Sequence, residues 1–450
     1  MHQELQPALP LTEAQAEMWF AQAMDPANPR FDSVGYIDIA GALNPAHFET
    51  ALRMAMDECE ALRARFEIAE DGPRQRFMER CEFAFAHVDL RRATAPESEA
   101  LAQMRTAASR PMDPLRGPLI EHALYRLGER RWIWSLRYHH LLVDGYFASV
   151  LSGRVCALYD ALARGEAPVP AQYTPFADLL AEDTAYAHGA RREADRRHWA
   201  RVIEAMRADG DEIDQPAPGA RIHRGSLDVP QTLTEALLQA ERSTGTPWPQ
   251  LATAAIAAYL ARTAPTAPAS YEFPVAVRGR NQRDAAGTTA NVVPLRLPVS
   301  GGETLRSLGA NASREILRCL KHQRYRCRDL LRDLGGGHGF GPRINLLPFA
   351  YDFRLGEAEG ILHSLYNGAV ADTSVTLQGQ PGQAGFRMHF DLNADRHEAA
   401  DAPRHAALLL AFMEAAAREP ELPLARIDLC DTDALARVLA LGRGAAARAG

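Results

Sequence analysis

Apolar positions along this chain keep two different rhythms. From Phe48 through Leu52, Met56, Cys59 and Leu62 they recur every three or four residues, the spacing of one helix face. Asn44-Pro45 just upstream provides a capping side chain and a first-turn proline. At "RWIWSLRYHH" the rhythm drops to two. Trp132, Trp134, Leu136 and Tyr138 alternate with Ile133, Ser135, Arg137 and His139, which predicts a strand with both tryptophans in the core. Helical spacing returns at Val150, Leu151, Val155, Leu158 and Leu162, with Gly165 as a stop.

The prolines and glycine of "GEAPVPAQYTP", Gly165 to Pro175, suit no regular element and predict a linker. A long helix is expected from about Phe176 to about Met206, then a Pro/Gly/Asp-rich stretch and a strand. Helices at "PQLATAAIAAYLART" and "TLRSLGANASREILRCLKHQ" alternate with strands at "YEFPVAV", "NVVPLRLPV", "RINLLPFAYDF" and "GFRMHFDLN". A last helix spans about Asp401 to about Arg418. The pattern predicts an α/β protein of two lobes, 1–170 and 171–440, each with helices packed on a mixed sheet. Residues 441–450, rich in Gly, Ala and Arg, read as the start of a linker to a further domain.

Composition narrows the function. The 450 residues carry a net charge of −7, which argues against a nucleic-acid binder. No window is apolar for the length of a membrane span, and no basic-then-apolar leader opens the chain, so a cytoplasmic protein is expected. The six cysteines are scattered without Cys-x-x-Cys spacing, so neither a metal site nor a disulfide framework is indicated. Cys59 and Cys156 read as buried free thiols.

Chemistry concentrates at "RYHHLLVDGYF". His139 and His140 point to opposite sides if the strand continues through them. Asp144-Gly145 then turns the chain into the next helix. An imidazole near its usual pKa of about 6.5 accepts a proton at neutral pH. Asp144 reads as a structural anion that needs an arginine partner.

With His-His-x-x-x-Asp-Gly in place, the chain resembles the condensation domains of nonribosomal peptide synthetases, in the chloramphenicol-acetyltransferase-like superfamily. Other segments are similar to that family's motifs in the expected order. They are "LTEAQAEMWF" with Gln15 and Trp19, "ECEALRARF" with Glu60, Leu62, Arg63 and Phe66, "YTPFAD", "GTTANVVPLRL", "KHQRYRCRDLL" and "FGPRINLLPF". The wording is nearest to condensation domains that join an aryl acid to serine. The resemblance implies a V-shaped pair of acetyltransferase-like lobes around a tunnel. There a carrier-bound acyl thioester meets the amine of a carrier-bound aminoacyl acceptor. It implies no metal or bound cofactor, the phosphopantetheine belonging to the carriers. His140 takes the catalytic position, as base or as orienting group, and Gly145 leaves room for a backbone N–H to face the oxyanion. His139 and Asp144 are structural, with Arg280 the first choice of partner for Asp144 and Arg278 the second. Asn345, Asn291 and Ser374 line the tunnel, and Arg63 makes a scaffold ion pair.

Two positions depart from the family's pattern, Cys59 where a histidine is usual and Ala290 where a phenylalanine commonly precedes the Asn. The rival readings of the same fold are an epimerization domain, an acyltransferase with a coenzyme A donor, and a non-catalytic domain that recruits a carrier or partner. The chain starts about ten residues before its first motif. The donor carrier is therefore expected as a separate protein. An acceptor carrier and an adenylation domain are expected to follow on the same polypeptide, and the domain to be a monomer.

Overall fold

A computed structural model describes residues 7–208, 217–264, 266–278, 285–333, 339–349 and 352–429. The strands of the first half are β1 (Leu9–Pro10), β2 (Asp32–Ala40), β3 (Ala64–Ala69), β4 (Gly72–Phe77), β5 (Ala84–Asp89), β6 (Ile120–Arg126) and β7 (Arg131–His139). Those of the second are β8 (Ile222–Asp228), β9 (Ser270–Val275), β10 (Asn291–Arg296), β11 (Arg343–Leu347), β12 (Phe353–Leu355), β13 (Ala358–Asn367), β14 (Thr373–Gln378) and β15 (Arg387–Asn393). The helices are α1 (Glu13–Met24), α2 (Pro45–Glu58), α3 (Pro96–Ala108), α4 (Gly145–Ala163), α5 (Phe176–Ala187) and α6 (Ala190–Ala208). They continue with α7 (Gln231–Thr244), α8 (Trp248–Thr263), α9 (Leu305–Lys321), α10 (Cys327–Asp333) and α11 (Asp401–Arg418).

Local chemistry explains where these elements begin. The Asn44 side chain accepts from the backbone N–H groups of Ala46 and His47, and Pro45 opens α2. Such a cap is worth about 1 kcal/mol. The long helix expected from Phe176 is instead two helices, broken at His188-Gly189. A Cβ at Gly189 would sit 2.8 Å from the Ala185 carbonyl oxygen, so the break needs glycine.

Two six-stranded mixed sheets carry the lobes, in the orders β12-β13-β2-β7-β6-β5 and β10-β9-β11-β14-β15-β8. One core holds Ile37, Phe48, Trp134, Phe147 and Leu151, and another holds Tyr259, Tyr271, Phe390 and Phe412. Trp132 and Trp134 are buried, as their alternation predicts.

The chain does not divide at residue 170 as cleanly as its linker suggests. β13 pairs antiparallel with β2 from Glu359↔Ala40 to Asn367↔Ser33, so a hairpin from the second half completes the first sheet. Phe176, Leu179, Ala285 and Ala286 also pack into the first core. Among the described residues no helix is long and apolar enough to cross a membrane. Cys59, Cys81, Cys156, Cys319 and Cys327 are free thiols; Cys430 lies outside the described residues. Burial pushes the thiols of Cys59 and Cys156 up to about 12.

Candidate active site

β7 ends at His139, and the chain then folds back on itself. The His139 N–H donates to the Leu119 carbonyl, and the His140 N–H donates to that of Phe31 at 2.7 Å. The side chain of His139 is wholly buried, and its Nδ1 accepts from the Leu141 N–H at 3.1 Å. Burial holds its pKa down at about 3, so it stays neutral. Two residues earlier on the same strand, Arg137 is clamped between Asp32 and Glu121, each at 2.9 Å. His139 thus braces the loop; the strand ends with it, so what separates the two imidazoles is the end of β7 and not the alternation along it.

His140 is half-buried, and its Nδ1 lies 2.8 Å from the Val143 carbonyl oxygen. A carbonyl only accepts, so Nδ1 carries the proton and Nε2 is left with a free lone pair. Burial lowers its pKa below the usual histidine value, which keeps the ring neutral at pH 7. The ring is therefore oriented by a backbone oxygen and not by a carboxylate.

Asp144 serves as the N-cap of α4, with Oδ1 accepting from the Phe147 N–H at 2.9 Å. Its Oδ2 accepts from Arg278 Nη1 at 2.8 Å and from the Thr289 N–H at 3.0 Å. Arg278, the second choice from sequence, is the partner; Arg280, the first choice, lies outside the described residues. Arg278 also donates to the Gly287 carbonyl and lies over the Tyr146 ring, 4.7 Å from its centroid. Val277 beside it has φ +43°, a left-handed backbone that a β-branched residue adopts only under strain.

Gly145 is the first residue of α4, where a helix leaves its N–H groups without a carbonyl one turn behind. It lines a cleft of about 710 Å³, open mouth included, between the lobes. The first lobe contributes Val34, Leu136 and Ala148 to the walls, and the second contributes Leu347, Thr376, Gln378 and His389. The β12–β13 hairpin adds Phe353 and Leu362.

The other expected residues divide. Asn345 and Ser374 are buried on adjacent parallel strands, in register with Thr376 and Arg343. They share strand faces with the lining residues Leu347 and Thr376 but are not themselves on the cleft wall. Asn291 is a correction. Its amide donates to the carbonyls of Gln323 and Tyr325, both at 2.8 Å, and accepts from the Cys327 N–H at 3.0 Å. It pins the turn before α10, with both amide hydrogens committed to backbone carbonyls. Arg63 also differs from expectation, donating to the backbone carbonyls of Met78 and Glu79 and not to a carboxylate. No group of His, Cys, Asp or Glu among the described residues is placed to hold a metal ion.

Known proteins resemble this chain in sequence and fold. The family profile described as Condensation domain matches residues 5–438. The chain is 31% identical over 425 residues to the dimodular nonribosomal peptide synthase of Bacillus subtilis, covering 93% of this chain. It is 32% identical to an isonitrile lipopeptide synthase of Streptomyces coeruleorubidus, again over 93% of this chain. Identity to enterobactin synthase component F of Escherichia coli is 26%, over 94% of this chain. The chain spans 18%, 29% and 33% of the lengths of these three relatives.

Among solved structures, the first condensation domain of the calcium-dependent antibiotic synthetase superposes with a TM-score of 0.87 at 28% identity. That match covers 95% of this chain and all of the other. The starter condensation domain of rhizomide synthetase RzmA, solved in substituted form with C8-CoA and Leu-SNAC, gives 0.84 at 31% identity, covering 94% of this chain and 98% of that one. The chain therefore belongs to the condensation-domain family of nonribosomal peptide synthetases, whose members are amide-forming acyltransferases.

Proposed function

We infer that this domain acylates the amine of a carrier-bound amino acid with an acyl group, fatty or aryl, delivered as a pantetheine thioester. The observation that carries the reading is the free Nε2 of a neutral, backbone-oriented His140, in the same loop as the Gly145 wall of an interlobe cleft. The acceptor amine attacks the thioester carbonyl, a C–N bond forms and the C–S bond breaks. His140 Nε2 accepts a hydrogen bond from the attacking amine and relays its proton toward the departing thiol. The N–H at Gly145 faces the oxyanion of the intermediate. An α-amine titrates near 8, so much of it is already neutral, and holding it against the thioester is a large part of the catalysis.

The phosphopantetheine arm comes with the carriers. A separate donor carrier and a following acceptor carrier and adenylation domain fit a starter position, and the likeness to a starter domain solved with C8-CoA supports it. That same likeness favours coenzyme A as a second source of donor, since its pantetheine arm is chemically the same.

Intact-mass spectrometry tests the reading. A seryl- or leucyl-loaded acceptor carrier is mixed with an octanoyl or dihydroxybenzoyl donor, on a carrier or on coenzyme A. A gain of one acyl group with the wild type, absent with His140→Ala, is expected. Equal gain with both proteins removes His140 from the mechanism, and no gain from any donor removes the acyl-transfer reading.

A further inference from the structure

The cleft mixes apolar and polar side chains. Val34, Leu136, Phe353 and Leu362 give one side an apolar stretch among polar neighbours such as Ser152 and Asn367, whereas Gln378 and His389 face it from the second sheet. Alternation explains the second side. In β14, Val375 and Leu377 point into the core, so Thr376 and Gln378 point the other way; in β15, Met388 and Phe390 do the same and leave His389 outward. Thr376 is in register with His389, so Gln378 and His389 are diagonal neighbours on adjacent antiparallel strands.

Gln378 and His389 are 3% and 1% exposed, and neither Gln378 Nε2 nor His389 Nε2 has a hydrogen-bond partner. A buried polar atom left unpaired is destabilising, because it has given up its hydrogen bonds to water and gained none in return. The other ring nitrogen of His389 is engaged, 2.7 Å from Ser226 Oγ. Burial keeps the ring neutral.

We propose that Gln378 and His389 read a hydroxyl on the donor acyl group, so that the preferred donor is a hydroxylated acyl thioester. A hydroxyl satisfies both atoms whichever tautomer His389 adopts. If His389 Nδ1 donates to Ser226, the hydroxyl accepts from Gln378 and donates to Nε2. If Ser226 donates, the hydroxyl accepts from both with its two lone pairs. A plain hydrocarbon chain leaves both unpaired. The proposal rests on the acyl-transfer reading above and adds the substrate class.

The test uses the whole chain and paired pantetheine thioesters, octanoyl against 3-hydroxyoctanoyl and benzoyl against 2-hydroxybenzoyl, with a leucyl thioester acceptor. At least one hydroxylated donor is expected to exceed its deoxygenated twin about tenfold in kcat/KM, and the preferred pair tells a chain hydroxyl from a ring hydroxyl. In Gln378→Met that ratio falls toward one. Calorimetric binding of the same thioesters reads the preference without turnover. Equal binding and equal rates within both pairs overturn the proposal, as does a ratio that survives Gln378→Met. Selective binding with no amide from any donor overturns the acyl-transfer reading and leaves the hydroxyl site standing.

Discussion

Asp144 and Arg278 tie the start of α4 in the first lobe to the strand exit of β9 in the second, through an ion pair at 2.8 Å with both side chains about 95% buried. One carboxylate therefore caps the helix that carries Gly145 and holds the facing lobe. Removing one partner from a buried pair leaves an uncompensated charge, at a cost of roughly 3–5 kcal/mol. Arg278→Ala is expected to lose about that much stability in urea unfolding and to lose turnover with it. Asp144→Asn keeps an oxygen for the Phe147 N–H and should cost less. A change under about 0.5 kcal/mol in Arg278→Ala would show that the tie is not used.

His140 should behave as a neutral ring with one committed nitrogen. Its resonances, followed by NMR and assigned with His140→Gln, are expected to titrate below 6.5, because burial disfavours the charged form. Since only the neutral ring accepts a proton, that lowered pKa extends activity to lower pH. Single-turnover rates in His140→Gln should drop by about 10²- to 10⁴-fold. A midpoint above 6.5 contradicts the arrangement described.

Gly145 separates space from structure. A Cβ there would meet Leu347 Cδ2 at 3.5 Å, an ordinary contact. Gly145→Ala is therefore expected to fold with a Tm within a few degrees of the wild type. Gly145→Leu projects into the cleft and should raise KM for the donor more than for the acceptor. A Tm collapse in Gly145→Ala would mean that the glycine serves the backbone and not the cleft.

Acid should weaken the fold early. Burial holds His122 and His139 at about 3 in the folded state, against about 6.5 unfolded. Their contribution is complete above 6.5 and is lost as pH falls toward 3, at roughly 1.4 kcal/mol per histidine per pH unit. Asp32 works the other way. Burial raises it to about 6, so its contribution is present at low pH and lost as pH rises through 6. For these three groups the balance is a net loss of about 1.4 kcal/mol per unit between pH 6 and 4, and the lowered pKa values of His198 and His363, both about 4, and of His389 add to that loss. Urea unfolding at pH 7 and pH 5 measures it, and unchanged stability would contradict the buried neutral histidines.

What could be read from sequence followed from strong local signals. α2 has its cap and first-turn proline, α11 its helical periodicity, and β7 its alternation of large apolar residues. The break at Gly189 was hidden because its reason is a contact with a carbonyl one turn back. Arg278 and Arg280 are equivalent by alternation; the left-handed Val277 aims Arg278 at Asp144, and backbone of that kind is not written in a β-branched residue. Asn291 sits in a motif, yet its neighbours in space take both its amide hydrogens and one lone pair of its oxygen. Gln378 and His389 belong to no motif. A trace of them was present in "TSVTLQ" and "RMHFDLN", where polar residues occupy every second place of strands otherwise made for a core.

The hairpin of β12 and β13 has a consequence for how the molecule is made. Without it, β2 ends the first sheet as an open edge along most of its length, with unpaired backbone groups that invite another chain. A polypeptide released at residue 170 would lack that cover, and also the Phe176, Leu179, Ala285 and Ala286 side chains of its core. The first half thus waits, unfinished and prone to association, until the ribosome has delivered residue 367. The unit that folds is the whole chain, not the half that carries the histidines.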